Sequence, residues 1–372
     1  MSVQVTPVAG KSDLKRFVYL PEQLHRGHAH WIPPIYMDEW RYYSPRKNLA
    51  FRYCDATMLL ATKDGRLVGR AMGIINRRHN EMTGERTARF AGLETTRDAE
   101  VVHALLSHVE GWARERGMTK IIGPFGFNDQ DPEGFLVEGF EHEPTIVTYF
   151  NFPWLIGLVE AEGYAKEVDY VVYRVPVPDR IPELYERVAA RVAARGQLRL
   201  LEFTRKRQLT PFIRPILGLM NETFVGIYGY SPLDQEEMEA LARQYLPLLD
   251  ARFVKAVVRG DEVVGFTIAI PNLAEGIVKA RGRLFPIGFL HILRAMRRSK
   301  QIDLLLGGIK AEYRGRGVDT LLGAAMMRTA IAGGYEAFDS HHELESNTKV
   351  RAEMERQGGI IYKRFRIFHK PL

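Results

Sequence analysis

Apolar positions along the chain recur with two periods, one of two residues that marks strands and one near 3.6 that marks helices. Met58–Asn76 alternates on both sides of Asp64-Gly65 and predicts a hairpin, and Thr87–Glu94 predicts another strand. Between Asp98 and Arg116, Val102, Leu105, Leu106, Val109 and Trp112 fall on one helical face, with Gly117 placed to end the helix. Shorter signals predict a helix at Asp13–Leu24 and strands at Lys120–Ile122 and Tyr170–Val175. Three prolines interrupt Val175–Pro182, which reads as a linker. Beyond it come a helix at Glu183–Ala194, a strand at Leu198–Phe203, a hairpin ending at Asn272 and a strand at Asp303–Ile309. An apolar helix then runs through Leu321, Leu322, Ala325 and Met326 to Gly333-Gly334.

The chain matches itself at nearly one offset. Asp64-Gly65-Arg66-Leu67-Val68-Gly69 aligns with Gly260-Asp261-Glu262-Val263-Val264-Gly265, and both continue as an apolar strand to an asparagine, Asn76 and Asn272. Gly163, Tyr170, Tyr173 and Pro176 align with Gly358, Phe365, Phe368 and Pro371. These matches predict two copies of one mixed α/β unit.

The second copy holds the most specific local signal, Glu312-Tyr313-Arg314-Gly315-Arg316-Gly317-Val318-Asp319, between a strand and a helix. Glycines there let backbone amides approach an anion beside the positive end of the helix dipole. The loop has neither the Gly-Lys-Ser/Thr of a Walker loop nor the glycine spacing of a dinucleotide fingerprint. Read from the residues alone it is a phosphate-loop candidate or a glycine-rich turn with solvated arginines.

Arg314, Gly315, Arg316, Gly317 and Val318 resemble the Arg/Gln-x-x-Gly-x-Gly/Ala loop of the GNAT acyltransferase superfamily, and the order of elements over residues 254–372 is similar. The resemblance implies an α/β (α+β, mixed-sheet) fold in two tandem GNAT-like domains. Residues 1–178 would form a copy without the CoA loop, and residues 179–372 the copy with the acyl-CoA site. It also implies that amides from Gly315 to Asp319 hold the CoA pyrophosphate, that strand Leu306–Ala311 pairs with the pantetheine arm, and that Asn347 contacts pantetheine or phosphate. Asp319 departs from the usual Gly or Ala. Met354 stands where the family has a tyrosine acid, so the proton for the leaving thiolate must come from elsewhere. The first copy turns through Thr95-Thr96-Arg97-Asp98 without a glycine, which predicts one acyl-CoA site per chain.

Amine acylation needs a proton acceptor near the thioester. If Asp339–Asn347 is one strand, Asp339, His341, Glu343 and Glu345 face one side and Ser340 and His342 the other. Glu345 and His341 are then the first candidates for base or relay, His342 the third, and Tyr362 a substitute acid; a strand end with surface polar groups is the alternative. Asp129, Asp131 and Glu133, in a loop hemmed by glycines and aromatics, are candidates to attract a cationic amine or are a solvated loop. His79 follows a strand and is a weaker candidate.

Composition narrows the partners. The 372 residues are 46% hydrophobic, 26% charged and 10% aromatic, enough for two domains with cores and incompatible with global disorder. Fifty-two Lys+Arg against 45 Asp+Glu give a net charge of +7. Residues 276–301 contain seven of these basic residues and no acid, so the rest of the chain is neutral. The segment interleaves them with aliphatics. Placed on one helix, Phe285, Phe289, Ile292, Leu293 and Met296 form an apolar stripe. That suits an anionic membrane surface, the wall of an acyl-chain passage, or a core helix with snorkelling arginines, and argues against nucleic acid. The single cysteine, Cys54, excludes disulfides and cysteine-held metal, and no metal is expected. With no apolar run of spanning length and no signal peptide at the N-terminus, the expected location is cytoplasmic, with peripheral contact at the inner membrane face.

The whole-chain layout resembles the tandem acyltransferases that include bacterial ceramide synthases. The expected activity is acyl-CoA-dependent transfer of a long-chain acyl group to an amphipathic amine such as a sphingoid base. A short-chain N-acetyltransferase and a non-catalytic acyl-CoA sensor are the alternatives.

Overall fold

The computed structural model describes residues 2–372. Its strands are β1 (Gln4–Pro7), β2 (Cys54–Lys63), β3 (Arg66–Asn76), β4 (Thr87–Thr95), β5 (Lys120–Gly123), β6 (Phe135–Glu138), β7 (Ala165–Pro176), β8 (Arg199–Glu202), β9 (Val254–Arg259), β10 (Glu262–Pro271), β11 (Gln301–Ile309), β12 (Ala337–Asp339), β13 (Glu343–Leu344) and β14 (Ile360–Pro371). They join in one sheet in the order β1-β2-β3-β4-β5-β14-β7-β12-β11-β10-β9-β8, with β6 added to β14 and β13 to β7.

The repeat is legible in this order, since each half reads as a hairpin, a strand, a helix and a short parallel strand. β4 pairs in parallel with β5 across helix Ala99–Arg114, and β11 with β12 across helix Val318–Ala332. Asp64 and Gly65 sit at φ of 53° and 74° and turn the first hairpin; Gly260, at 59°, turns the second.

The two long strands at the centre are exchanged between the halves. The division at residues 178 and 179 assigns β7 to the first copy and β14 to the second, but β14 lies against β5 of the first half, and β7 lies against β12 of the second. β14 and β7 pair antiparallel, and the repeat-equivalent residues Phe365 and Tyr170 stand opposite each other. The cores follow the exchange. Phe368 packs with Leu59, Phe90, Leu105 and Val109 in the first half, and Val171, Tyr173 and Val175 pack with Ile302, Ala324 and Met327 in the second.

Two elements differ from the pattern reading. Asp339–Asn347 is not one strand: it breaks after Asp339, passes His341 at φ 59°, and re-pairs as β13 on β7. Residues 276–301 are not one helix, because Pro286 separates the helix Ala274–Ala280 from Gly288–Arg298. The two close on each other at Gly276, where a Cβ would meet the His291 carbonyl oxygen at 2.8 Å.

The exchange makes the halves one folding unit. All four tryptophans, Trp31, Trp40, Trp112 and Trp154, lie in the first half, so their fluorescence reports that half while circular dichroism reports both. Phe368→Ala is expected to cost about 3–5 kcal/mol, with the two urea transitions coinciding before and after. Separation of the two curves would contradict the coupling.

Candidate functional site

Parallel β11 and β12 pair only over Gln301–Asp303 and Ala337–Asp339, and then separate. The chain leaves β12 because it is tied elsewhere. The His341 amide donates to Asp339 Oδ1 at 2.7 Å, the Tyr173 amide donates to Ser340 Oγ at 2.9 Å, and His341 Nε2 meets the Ile146 carbonyl at 3.0 Å. β11 continues to Ile309 with only β10 beside it, so its edge from Leu304 is bare. Such an edge offers alternate backbone donors and acceptors to an extended amide-containing chain.

At the end of β11 stands the glycine loop. Gly315 and Gly317 hold φ of 70° and 86°, and a Cβ at Gly315 would meet nothing within 4 Å. The loop is therefore open to a ligand, and the helix Val318–Ala332 directs its first amides toward it. Arg314 Nε donates to the Ile309 carbonyl at 3.1 Å, which ties the loop to the strand end. Asp319 is exposed and accepts from the Thr320 amide at 2.9 Å, and Arg316 is exposed.

The bare edge borders a cavity of about 520 Å³, within the range of small-molecule sites. One wall is aliphatic: Ile213, Ile216 and Leu217 come from helix Ile213–Phe224, Leu241 from helix Gln235–Tyr245 and Leu246 from the position that caps it. Pattern reading passed over both helices although the signals are present. Ile213, Ile216, Leu217, Met220 and Phe224 keep helical spacing, and Asp234 with Glu237 forms a capping box. None of residues 276–301, for which the wall of an acyl-chain passage is one of three readings, lines this cavity. Asn347 and Met354 line the opposite side, Asn347 capping helix Thr348–Arg356.

The polar end gathers Asp129, Asp131, Glu133, His341, His342 and Glu343. Thus the acidic loop is folded into the cavity and is not solvated. Asp129 Oδ1, Glu133 Oε2 and His342 Nε2 are buried with no hydrogen-bond partner. His342 and Glu133 have side chains only 6% and 7% exposed, with Nδ1 3.9 Å from Oε1. The His342 ring stacks on Tyr170 at 5.2 Å. Burial holds both imidazoles below the usual range, His342 well below, so they are neutral at pH 7. Burial first, then the charge of Asp131, pushes Asp129 up to about 7. Burial likewise pushes Asp131 up to about 6 and Glu343 up to about 8. Glu133 is also raised, by burial and then by Asp129.

Two expected site residues stand elsewhere. Glu345 points away and binds Lys166 and Arg364, each at 2.7 Å, because the break after Asp339 destroys the alternation that would have brought it inward. Tyr362 does not line the cavity; it donates to Asp339, beside the buried Lys363. His79 is an outlying residue whose Nδ1 meets the Tyr230 carbonyl at 3.1 Å.

Along the equivalent edge of the first half, the protein's own side chains meet the freed amide and the helix N-terminus. β4 leaves β5 after Arg89, and the Gly92 amide on the freed edge donates to the Tyr149 hydroxyl at 3.2 Å. At the helix N-terminus that follows, Asp98 accepts from the Glu100 amide at 3.0 Å and pairs with Lys63. A hydroxyl and a carboxylate thus take the places that an amide-containing chain and a phosphate would need.

No family model matches the chain. Over 380 aligned positions it is 29% identical to a protein named bacterial ceramide synthase from Caulobacter vibrioides (strain NA1000 / CB15N), covering 100% of this chain and 98% of that one. It is 26% identical to Protein YghO of Escherichia coli (strain K12) over 371 positions, 97% of this chain and 94% of the relative. Among solved structures, a tandem GNAT protein from the clavulanic acid biosynthesis pathway superposes with a TM-score of 0.55 at 14% identity, covering 100% of this chain and 98% of that one. A GCN5-related N-acetyltransferase from Anabaena variabilis ATCC 29413 gives a TM-score of 0.51 at 10% identity, over 99% of this chain and 72% of that one. With its split parallel pair and its repeated order of elements, the chain has the GNAT fold in tandem form.

Proposed function

We propose that the protein is an acyl-CoA-dependent N-acyltransferase that moves a long-chain acyl group onto the amine of an amphipathic acceptor such as a sphingoid base, working at an anionic membrane surface. The observation that carries this reading is the bare β11 edge ending in an aliphatic cavity whose far end holds three unpartnered buried polar atoms. The aliphatic wall favours a long acyl chain over acetyl. The name of the full-length relative, bacterial ceramide synthase, supports a lipid amine acceptor.

In this reading the pantetheine arm lies along Leu304–Ile309 and the pyrophosphate on the amides from Gly315 to Asp319, with Arg314 and Arg316 at its rim and Asn347 across the cleft. The first half, its slot filled by Tyr149 and Asp98, holds no second acyl-CoA. Asp131 draws the ammonium in, and Glu133, held toward its neutral form by burial, accepts a hydrogen bond from it. Asp129, near neutrality, takes one proton from it, and the free amine attacks the thioester carbonyl. As the C–N bond forms and the C–S bond breaks, neutral His342 takes the second proton from nitrogen and passes it to the departing thiolate. The products are the amide and free CoA.

The hairpin Ala274–Arg298 supports membrane contact. Phe285, Ile287 and Leu290 are 72%, 61% and 53% exposed, and Arg294, Arg297 and Arg298 lie beside them, while Ile292 and Ala295 face inward. Each basic residue at an anionic surface contributes on the order of 1 kcal/mol. Among the described residues no helix is long and apolar enough to cross a membrane.

Asp129→Asn and His342→Gln are each expected to lower kcat by about 10²–10⁴-fold while palmitoyl-CoA still raises Tm. Glu345→Gln should stay near the parent rate. A dead Glu345→Gln, or two fully active cavity variants, would contradict these roles. Palmitoyl-CoA should stabilise more than acetyl-CoA; the reverse would favour a short-chain enzyme, and binding without turnover of any amine a sensor. Leu290→Ser with Leu293→Ser should abolish cosedimentation with phosphatidylglycerol vesicles and leave kcat for a water-soluble amine unchanged. Retained cosedimentation would remove the hairpin from membrane contact.

The pH dependence of folding follows from the raised carboxylates. Glu343 stabilises the fold fully below its ordinary value of 4.5, and that contribution is lost as pH rises through about 8. Tm should therefore fall between about pH 5 and pH 9, and Glu343→Gln should flatten the fall; an unchanged slope would contradict the burial of this group.

A further inference from the structure

A second cavity, of about 380 Å³, adjoins the first, and Gln130, Asp131, Val147, Leu241 and Tyr245 line both. Its two ends differ in chemistry. At one end Arg70 is only 5% exposed, with Nη1 donating to the Phe17 carbonyl at 2.8 Å and Nε buried without a partner. Glu39 and Glu94 stand near that guanidinium, and Glu94 also meets His25 Nε2 at 3.0 Å. Burial pushes Glu39 up to about 7 in spite of Arg70, so the protein's own groups do not fully compensate this carboxylate. A hydroxyl both accepts from a guanidinium and donates to a carboxylate, and so satisfies the two at once.

At the other end Ile32, Leu248 and Ile277 form an apolar wall, while Trp31 stacks on His25 nearer the polar end. Ile277 belongs to the hairpin that exposes Phe285, Ile287 and Leu290, and it packs with Ile292 of the same hairpin and with Ile32 and Leu248. A ligand filling this cavity would have a hydroxylated head, an apolar tail ending beside the lipid-facing hairpin, and one group at Asp131, where the neighbouring reaction cavity begins.

We infer that this second cavity is the acceptor subsite and takes a single-chain amino alcohol, with its tail against Ile32, Leu248 and Ile277, its hydroxyls between Arg70 and Glu39, and its amine at Asp131. The inference rests on the N-acyltransferase reading above and adds where the acceptor lies and which chemistry selects it. Acyl chain and acceptor then occupy adjoining cavities that share the wall of Gln130, Asp131, Val147, Leu241 and Tyr245, and the product spans both. The first half supplies acceptor recognition where its own acyl-CoA slot is closed.

The test uses the full chain with palmitoyl-CoA and two acceptors, sphinganine and the tailless 2-amino-1,3-propanediol. Ile277→Trp and Leu248→Trp should each raise KM for sphinganine by at least about tenfold, the equivalent of 1.4 kcal/mol, and leave the tailless acceptor and the Kd for palmitoyl-CoA unchanged. Arg70→Met should erase the preference for sphinganine over octadecylamine. Variants that change acyl-chain-length preference while the KM for sphinganine stays fixed would overturn the assignment. Should the variants fail to fold, seen as loss of palmitoyl-CoA binding, a diazirine analogue of sphinganine is cross-linked to the parent protein and mapped. Labelling at residues 32, 248 or 277 supports the subsite, and labelling confined to 213–224 or 304–307 overturns it. Cross-linking needs no turnover, so failure of the subsite is distinguished from failure of the acyl-transfer reading, which would show as no amide formed from any amine.

Discussion

Two carboxylates buried side by side decide where the sheet splits. Asp303 and Asp339 are register partners at the last paired position of β11 and β12, and both are fully buried. Asp303 is held by Asn272 at 2.8 Å and Gln301 at 2.9 Å, and its pKa is pushed up to about 7 by burial and by the charge of Asp339. Asp339 is held by the His341 amide, the Tyr362 hydroxyl and, at 3.7 Å, the Lys363 ammonium. Two like charges in a dry interior repel unless each is satisfied by different neighbours. Here the neighbours lie on diverging paths. Asn272 follows β10, while His341, Tyr362 and Lys363 belong to the chain running onto β7 and β14. The bonds that make the pair tolerable also carry β12 away from β11, and so create the bare edge on which the acyl-CoA reading depends.

The exchange of β7 and β14 follows from the same region. Lys363 and Tyr362 reach Asp339 only because β14 crosses from the second copy to lie between β5 and β7. The buried polar knot at the split therefore belongs to both halves. The copies keep one architecture with different edges: a bare edge and a glycine loop open at Gly315 in the second, a hydroxyl and a capping carboxylate in the first.

Much of this was legible in the sequence wherever structure is local. The hairpin turns, helix Ala99–Arg114 with its cap at Asp98, helix Glu183–Ala194 and the glycine loop all follow from spacing and turn chemistry. The exchange was not, because an internal repeat says which segments are alike and nothing about whose neighbour each becomes. Alternation placed Glu345 inward, and a three-residue break at Ser340–His342, fixed by tertiary bonds to Tyr173 and Ile146, reversed it. The same break made His342 a cavity residue. The acidic loop carried the composition of a solvated turn, and only the packing of Phe125 and Phe127 in the core turns its carboxylates inward. The helices Ile213–Phe224 and Gln235–Tyr245, which form the aliphatic wall, had clear periodicity and were overshadowed by the more basic segment that follows.

The central claim is that one cleft in each chain, and not two, is built for acyl-CoA. Isothermal titration of the full chain with palmitoyl-CoA below its micellar concentration tests it most directly. One molecule bound per chain is the predicted result, with a negative heat-capacity change from burial of the acyl chain. Two equivalents per chain, or none, would contradict the account.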